Sequence, residues 1–360
     1  MRRRSFLKRL GLGSLALGGT LATVETAQAA DQRFNWKLVT AWQPNFPVFM
    51  DGVNRFAQDV KRMSRGQLNI LVFAGGELVP ALQTFDAVSQ GTVEMGHGAA
   101  YYWAGKEPAA QFFTAVPFGM NAQGMNAWLY AGDGLKLWRE VYARHHLIPL
   151  PMGNTGVQMG GWFRKPIRSL ADLKGVKMRI PGLGGKVIAK TGVNPVLLPG
   201  GEIYTALERG TIDAAEWVGP YHDLRLGLHR AAKYYYYPGW HEPGPALELI
   251  INDKAWKSLP VHLQAIVENA AAANNLWMLA EFEAKNVEAL QTLQQEHKIN
   301  LLEFPADVIE TLRRLTKQTL DEEAAKDATF RKVYAAYQQF STRDVAWHGV
   351  SESAYARIMK

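Results

Sequence analysis

The stretch that decides the fold is residues 176–221, VKMRIPGLGGKVIAKTGVNPVLLPGGEIYTALERGTIDAAEWVGPY. Apolar and charged residues alternate over 176–180, which predicts a short strand that Pro181-Gly182 ends. Helices are predicted over 184–190 and 202–209, and Gly210 suits the left-handed position just past the second one. Short apolar runs follow the two helices, over 195–198 and 211–216 respectively. This alternation of strands and helices is typical of a parallel sheet in an α/β protein.

Two oppositely charged residues stand at strand ends in this unit. Arg179 lies near the carboxyl end of the first strand, just before a Gly-rich turn, and Glu216 ends the last strand. Open α/β sheets bind ligands in the crevice outside such strand ends, so a cation and an anion could face one crevice. The alternative is that both residues are solvated charges at strand ends, paired with each other.

The first half of the chain predicts a similar β-α-β-α-β unit. Its strands are predicted over 36–40, 68–73 and 93–97, and its helices over 46–63 and 80–90. Phe85–Glu94 also aligns without gaps on Tyr204–Asp213, with Ala, Gly and Thr recurring. Two similar lobes that face a cleft explain this internal sequence repeat. The predicted fold is therefore α/β, with lobe I over 30–150, lobe II over 151–250 and a helical region over 251–360.

The longest predicted helix covers residues 261–298. Its apolar residues recur at intervals of three or four: Leu263, Ile266, Ala270, Ala273, Trp277, Ala280, Ala284 and Val287. Leu276, Leu279 and Phe282 fall off that stripe, so a second surface of the helix could also be covered. A helix of this length could brace both lobes or cross to a partner subunit. Further helices are predicted over 306–325 and 330–339.

Residues 1–29 are typical of an export signal that is removed from the mature protein. Arg3-Arg4-Ser5-Phe6-Leu7-Lys8 matches the twin-arginine pattern, a weakly apolar stretch follows, and Ala27-Gln28-Ala29 is a cleavage site of the A-x-A kind. The alternative is a basic tail on a cytosolic protein. Twin-arginine export would place the mature chain in the periplasm.

Composition excludes several classes of function. The segment 1–29 holds five of the 40 basic residues and one of the 33 acidic residues, which leaves 35 against 32 and a net charge of +3. No basic tract with interleaved aromatic residues follows, so a nucleic-acid partner is not expected. The chain has no cysteine, which excludes disulfides, thiolate metal sites and cysteine nucleophiles. With 48% hydrophobic and 20% charged residues, the composition is that of a globular protein.

The runs K-M-R-I-P (177–181) and G-G-E-I-Y-T-A-L-E-R-G-T-I-D-A-A-E-W (200–217) resemble the solute receptors of tripartite ATP-independent periplasmic (TRAP) transporters. In that family an arginine at the position of Arg179 grips the substrate carboxylate. The commoner family motif has Glu-Asn where this chain has Glu216-Trp217. The chain instead resembles the branch that binds 2-oxo or 2-hydroxy monocarboxylates together with a metal cation.

This resemblance implies a cation site made of oxygen atoms. Its ligands would be the side chains of Gln158 and Glu216 and the backbone carbonyl of Trp217, since an indole N–H only donates. Such a set suits a hard ion, Na⁺ or Ca²⁺, rather than zinc. The cation would bridge the carboxylate and 2-oxo oxygens of the ligand.

The predicted substrate site centres on Arg179, whose fork geometry fits a carboxylate with two parallel hydrogen bonds. Tyr101 or Tyr102 could donate a hydroxyl from the opposite wall of the cleft, and Asn154 carries an amide in a Gly-rich segment. Glu242 could add a second carboxylate near the cation. The ligand could be a pyruvate-like or a lactate-like acid, and the receptor would pass it to a membrane permease.

Two other classes of function compete with a receptor. A secreted hydrolase could use Glu216, His241 and Glu242 as base or metal ligands, with His222 as a further candidate, although no G-x-S-x-G, H-E-x-x-H or Walker A motif occurs. A structural envelope protein has no repeat or low-complexity segment to support it. Binding, not catalysis, is the preferred interpretation.

Overall fold

A computed structural model describes residues 32–359, so the export signal predicted over 1–29 lies outside the described residues. The strands of the described chain are, in order, β1 Phe34–Thr40, β2 Leu68–Phe73, β3 Met95–Gly98, β4 Leu147–Asn154, β5 Gly161–Phe163, β6 Lys177–Arg179, β7 Asn194–Val196, β8 Ala214–Ala215, β9 Tyr234–Tyr237, β10 Ala246–Asn252 and β11 Asn300–Glu303. They form two sheets, of five and six strands, one in each lobe.

Helices make up most of the remaining chain. The α-helices are α1 Phe49–Met63, α2 Thr84–Ser89, α3 Ala122–Tyr130, α4 Gly134–Ala143, α5 Gly182–Ala189, α6 Gly200–Glu208, α7 Pro220–Leu226, α8 Leu228–Ala231, α9 Asp253–Ser258, α10 Val261–Gln295, α11 Ala306–Lys326, α12 Ala328–Val350 and α13 Glu352–Ile358. Short 3₁₀ helices cover Ala81–Gln83, Ala100–Trp103, Pro108–Phe113 and Leu170–Leu173. No helix among residues 32–359 combines the length and the apolar character needed to cross a bilayer.

The two lobes share one β-α-β-α-β topology, which confirms the two-lobed α/β fold predicted from the repeat. The first sheet contains the order β2-β1-β3 and the second the order β7-β6-β8, and all four of these strand pairs are parallel. The aligned glycines Gly91 and Gly210 have nearly equal positive φ angles, 73° and 74°. A glycine adopts this left-handed conformation without the steric cost that a side chain would add, so both helices can end on the same turn.

The sheets are mixed, whereas the strand–helix alternation predicted parallel pairing. β10 is antiparallel to both β3 and β4, and β5 is antiparallel to both β8 and β9. The chain passes between the lobes from β4 to β5, from β9 to β10, and again before β11, which pairs with β9 in the second sheet. β4 and β10 therefore lie in the first sheet, although the predicted boundaries at residues 150 and 250 run through them. The region 251–360 also contains a strand.

Several predicted ends differ from the structure because local backbone conformation overrides the apolar pattern. α1 begins at Phe49 and not at Phe46, since Asn45 and Val48 have positive φ angles of 56° and 62° that a helix excludes. The last strand of the second unit is only two residues long, and α12 extends well beyond the predicted 330–339. The long helix ends at Gln295.

The long helix α10 packs against β4 and α1 of the first lobe and against α7 of the second, so it braces both lobes. Its buried face differs from the predicted stripe. Ala273, Ala280, Ala284 and Val287 are exposed, while Asn274, Asn275 and Met278 are buried. Phe282, predicted for a second surface, is buried against Phe49 and His222. Alanine fits an exposed or a buried helix position equally, so the stripe alone could not identify the buried face.

Candidate functional site

Arg179 and Glu216 form a buried ion pair at the ends of β6 and β8. Each residue is 1% exposed, and Arg179 Nη1 donates to Glu216 Oε1 and, at 2.8 Å, to the Glu216 backbone carbonyl. β6 and β8 are parallel neighbours in which Arg179 is opposite Ala215, and this register brings the pair together. The two residues are therefore paired with each other, as the alternative predicts, but they are buried and not solvated.

The other edges of the Arg179 guanidinium are held less tightly. Nε donates to the carbonyl of Leu198 at 3.3 Å, and Nη2 donates to the hydroxyl of Tyr102 at 3.4 Å. The indole ring of Trp217 lies 5.0 Å from the guanidinium carbon. Burial alone would lower the pKa of Arg179, but the adjacent Glu216 carboxylate raises it above its ordinary value. Arg179 is thus a permanent buried cation with long, weak bonds on its Nη2 side.

Tyr101 and Tyr102 reach this cluster from the first lobe, where they follow β3 in a 3₁₀ helix. The Tyr101 hydroxyl is 3.4 Å from Glu242 Oε2, while the Tyr102 hydroxyl faces Arg179. Burial raises the pKa of Tyr102 to about 12, and burial with the Glu242 charge raises the pKa of Tyr101 well above its ordinary value. Both hydroxyls therefore stay protonated near neutral pH and can donate hydrogen bonds.

Glu216, His241 and Glu242 form a compact buried cluster beside Arg179. Each offers one ligand atom, and these atoms all lie within 4.8 Å of one another. His241 Nε2 lies 3.1 Å from Glu216 Oε2, and His241 Nδ1 is buried without a hydrogen-bond partner among the described residues. Burial, followed by the charge of Glu216, raises the pKa of Glu242 well above its usual range.

Gln158, His241 and Glu242 lie on the two segments that cross between the lobes, from β4 to β5 and from β9 to β10. The Gln158 backbone N–H donates to the Glu242 carbonyl at 3.1 Å, so the two crossings are hydrogen-bonded to each other. The Gln158 side chain is buried, and its Nε2 donates to Thr155 Oγ1 at 3.2 Å. Its Oε1 accepts nothing from residues 32–359. This crossing segment therefore holds a buried oxygen acceptor without a partner in the part of the chain that the structure describes.

Asn154 ends β4 at the start of the first crossing, and its side-chain amide is hydrogen-bonded to the backbone of the crossing segments. Its Oδ1 accepts from the Gly156 N–H at 2.8 Å, and its Nδ2 donates to the Gly244 carbonyl at 3.2 Å. Both ends of the amide thus hold the crossing segments. Among the described residues the structure gives Asn154 no hydrogen bond to Arg179, Gln158 or the acidic cluster. Its role in substrate binding stays a prediction.

Trp217 joins the lobes through an aromatic cluster. Its ring lies 6.3 Å from Trp42 and 6.1 Å from both Phe46 and Phe49, which belong to the first lobe. Trp42 Nε1 donates to His97 Nδ1 at 2.7 Å, and burial lowers the pKa of His97 to about 3, so this imidazole is a neutral acceptor. Trp217, whose ring lies near the Arg179 guanidinium, thus packs against aromatic side chains of the first lobe.

Trp42 and His97 are not among the site residues that the sequence predicts, and His241 is predicted only for the hydrolase alternative. Trp42, Phe46 and Phe49 recur at intervals of three or four just after β1, which is a detectable aromatic signal. His241 is adjacent to Glu242 in an aromatic run, but nothing in that run predicts that its ring reaches Glu216. That contact depends on the crossing segments, which local sequence does not encode.

Comparison with known proteins gives one family. The profile of the bacterial extracellular solute-binding proteins of family 7, DctP, matches residues 38–327. A monocarboxylate 2-oxoacid-binding periplasmic protein of Nostoc sp. is 45% identical over 358 residues, which cover 99% of this chain and 98% of the relative.

Solved structures agree with this match. A TRAP transporter solute-binding protein from Bordetella bronchiseptica, a dimer with copurified calcium and picolinate, has a TM-score of 0.90 and 40% identity, covering 91% of this chain and 98% of that one. A TRAP periplasmic solute-binding protein from Pseudoalteromonas atlantica with bound sodium and pyruvate has a TM-score of 0.88 and 43% identity, covering 91% and 99%.

Proposed function

Because the chain belongs to the bacterial extracellular solute-binding proteins of family 7, the DctP family, we propose that it binds a small 2-oxo or 2-hydroxy monocarboxylate together with Na⁺ or Ca²⁺ for a TRAP transporter. The family consists of binding proteins, and the alternative of a secreted hydrolase has no support from the comparisons. The observation that carries the proposal is the buried Arg179 beside a surplus of oxygen acceptors.

Arg179 would hold the carboxylate of the ligand. Among the described residues, its Nη2 edge has only the 3.4 Å contact to the Tyr102 hydroxyl, so a charged acceptor could form a shorter and stronger bond there. The Tyr101 and Tyr102 hydroxyls supply neutral donors for the remaining oxygen atoms of the acid. The described site has Arg179 as its one permanent cation, which suits an acid with a single carboxylate.

The residues present fit a hard cation. Gln158 Oε1 is a buried acceptor without a donor in the described part of the chain, and an unpaired buried polar atom costs about 1–3 kcal/mol unless a ligand satisfies it. Glu216 and Glu242 add carboxylate oxygens, and with the Trp217 carbonyl they give the all-oxygen set that Na⁺ and Ca²⁺ prefer. When bound, the cation would supply the positive charge that holds the adjacent carboxylate and 2-oxo oxygens of the ligand.

The depth of the site implies that the lobes separate to admit a ligand. Arg179, Glu216, His241 and Glu242 are each at most 3% exposed. Tyr101 and Tyr102 come from the first lobe and Arg179 from the second, so movement of one lobe away from the other would open the cluster. The crossing segments around Gln158 and Glu242 connect the lobes and are the natural hinge.

Native mass spectrometry of the purified full chain tests the proposal. After loading with pyruvate or lactate and with NaCl or CaCl₂, we expect the folded protein to carry one acid and one metal ion together. A protein that carries neither under these conditions would contradict the proposed function. A protein that carries the acid without any ion would contradict the cation site alone.

We further propose that residues 1–29 direct the chain to the periplasm by the twin-arginine route, where it passes its ligand to a membrane permease. The Arg3-Arg4 pair supports this route. Changing both arginines to lysine should leave the precursor in the cytoplasm. Unchanged periplasmic yield would argue against this route, though not against export.

We also propose that the chain forms a homodimer through α10. Leu276 and Val287 on this helix are 68% and 61% exposed, and the exposed Ala273, Ala280 and Ala284 have the spacing that places them on the same face. The homologue from Bordetella bronchiseptica is a dimer. Sedimentation should show a dimer at micromolar concentration, and a monomer there would count against this interface.

A further inference from the structure

The charge of the buried cluster does not determine by itself which ion it prefers. Arg179 and Glu216 are in direct contact, so their charges cancel within the cluster. Two groups then remain that can neutralise an added cation, namely the carboxylate of the ligand and Glu242, whose ionised form an adjacent cation would favour. The valence of the ion and the charge at Glu242 are therefore connected.

Glu242 differs from Glu216 in its partners. Glu216 contacts Arg179 and His241, whereas within the described chain the side chain of Glu242 has one hydrogen bond, a long one of 3.4 Å from the Tyr101 hydroxyl. No lysine, arginine or histidine forms an ion pair with Glu242 among residues 32–359. Its carboxylate is thus uncommitted, although it lies within 4.8 Å of the ligand atoms of Glu216 and His241.

A second observation also indicates that a cation belongs here. Gln158 is 3% exposed, and its Oε1 accepts from no group within residues 32–359, while its backbone N–H is bonded to the carbonyl of Glu242. The segment that is hydrogen-bonded to the Glu242 backbone therefore carries a buried neutral oxygen that lacks a partner among the described residues. This part of the molecule has more hydrogen-bond acceptors than donors, and a metal ion would supply the positive charge that these acceptors attract.

On the basis of the function proposed above, we propose that Glu242 is the residue that sets the preference of the site for divalent over monovalent cations. With a monocarboxylate bound, Na⁺ is neutralised by the ligand alone. Ca²⁺ has one further positive charge, which only Glu242 is placed to balance. Uncompensated charge is expensive in a buried site, so the charge of Glu242 favours Ca²⁺ over Na⁺.

The relatives show that both valences occur in similar proteins. One carries calcium with picolinate and another carries sodium with pyruvate, at 40% and 43% identity to this chain. A small change at the site could therefore separate the two preferences. Glu242 is the residue of this chain whose charge bears on that choice without also holding Arg179.

The test is a pair of ion affinities in Glu242→Gln, measured on the full mature chain with saturating pyruvate. NaCl and CaCl₂ are titrated separately at constant ionic strength, using calorimetry or intrinsic tryptophan fluorescence. Electrostatic attraction scales with the charge of the ion. The substitution should therefore change the logarithm of the Na⁺ affinity by about half as much as that of the Ca²⁺ affinity. We expect Ca²⁺ affinity to fall about 100-fold and Na⁺ affinity about 10-fold or less.

Glu202→Gln is the matched control, because Glu202 is an exposed carboxylate in the groove between the lobes. It should change both ion affinities less than twofold. In Glu242→Gln, the new side chain can still accept the hydrogen bond from Tyr101. If Glu242→Gln does not fold, Glu242→Met removes the same charge and provides the same test.

Each result decides between the alternatives. Equal losses for Na⁺ and Ca²⁺, or no loss, would overturn the role of Glu242 while leaving the receptor function intact. Wild-type protein that binds pyruvate but neither ion would overturn both the cation site and this inference. Wild-type protein that does not bind pyruvate would contradict the proposed ligand.

Discussion

The molecule contains two kinds of buried carboxylate, and their partners distinguish them. Glu248 on β10, in the core of the first lobe, accepts hydrogen bonds from the Trp103 indole and, at 2.9 Å, from the Tyr142 hydroxyl. Asp223 in the second lobe accepts from the indole of Trp162 and the hydroxyl of Tyr235, at 3.0 and 2.7 Å. Both carboxyls are satisfied by neutral donors.

The cluster of Glu216, His241 and Glu242 has the opposite balance. Glu242 has a single long hydrogen bond from Tyr101, and neither Gln158 Oε1 nor His241 Nδ1 has a hydrogen-bond partner within the described chain. Burial raises the pKa of Glu248 to about 7 and also raises that of Glu242. A raised pKa is therefore common to both regions. The two regions differ in the partners of their carboxylates, and the unpaired acceptors of the cleft support the proposal that it, and not the surroundings of Glu248, binds the ligand.

The largest expected effect comes from removing one acceptor charge in the cleft. Glu216→Gln removes the carboxylate while keeping the shape of the side chain and the backbone carbonyl that accepts from Arg179. We expect loss of measurable ion binding and acid affinity reduced about 100-fold or more, because without Glu216 the buried charge of Arg179 is unpaired and the cluster has one negative charge fewer to offset an added cation. Calorimetry with pyruvate, with and without CaCl₂, measures both.

Glu248→Gln is the control for Glu216→Gln, since it removes an equally buried carboxylate outside the cleft. It should bind the acid and the ion like wild type. The distinction between the two regions would be wrong if Glu248→Gln lost binding, or if Glu216→Gln kept it.

The scaffold carboxylate should instead change the pH dependence of stability. Glu248 has a pKa of about 7 in the folded protein and 4.5 as a free group, so the folded state keeps its proton longer. The stabilisation of the folded state by this proton is present below pH 4.5 and is lost as pH rises through 7. Wild type should therefore lose roughly 2–3 kcal/mol of unfolding free energy relative to Glu248→Gln between pH 4.5 and pH 8.

Denaturant unfolding of both proteins at several pH values provides this difference. His97 and His222, whose pKa values burial lowers to about 3, act in the opposite direction but are present in both proteins and cancel. Parallel stability curves for wild type and Glu248→Gln would show that this carboxyl does not titrate differently on folding.

The smallest expected effect tests the geometry of the cleft and not its charge. Arg179→Lys keeps a cation but loses the planar fork, so acid affinity should fall about 10-fold or more, since a charge-assisted hydrogen bond contributes ~1.5–3 kcal/mol. Calorimetry with pyruvate and with lactate measures the loss. Arg164→Lys, at an exposed arginine of the same lobe, should bind normally. Unchanged affinity in Arg179→Lys would remove this residue from the site.

The repeated unit made the core topology predictable from the sequence. The helix, glycine and strand around Gly91 and Gly210 are short-range patterns, and each is confirmed at nearly the same φ angle. The exchange of strands between lobes was not predictable in this way. β4 and β10 are apolar strands that would fit either sheet, and only long-range pairing assigns them to the first one.

The residues of the candidate site were predictable where they belong to a recognisable sequence motif. Arg179 and Glu216 stand at adjacent strand ends, and the structure brings Tyr101, Tyr102 and Glu242 into contact with each other or with Arg179. The roles of these residues in binding stay predictions. The contact of His241 with Glu216 was beyond local reasoning, because it depends on how two crossing segments align. Asn154 has an amide that suits a ligand and a turn equally, and the structure uses it for the backbone.

The most direct test of the account is the affinity for pyruvate in exhaustively dialysed protein, with and without added Na⁺ or Ca²⁺. The surplus of acceptors predicts that acid and ion each tighten the binding of the other by the same factor, because the coupling is reciprocal. Pyruvate affinity should therefore rise on adding at least one of the two ions, and ion affinity should rise equally with pyruvate. If neither cation changes pyruvate affinity, the cleft is not an ion-linked site, and Arg179 must hold the acid unaided.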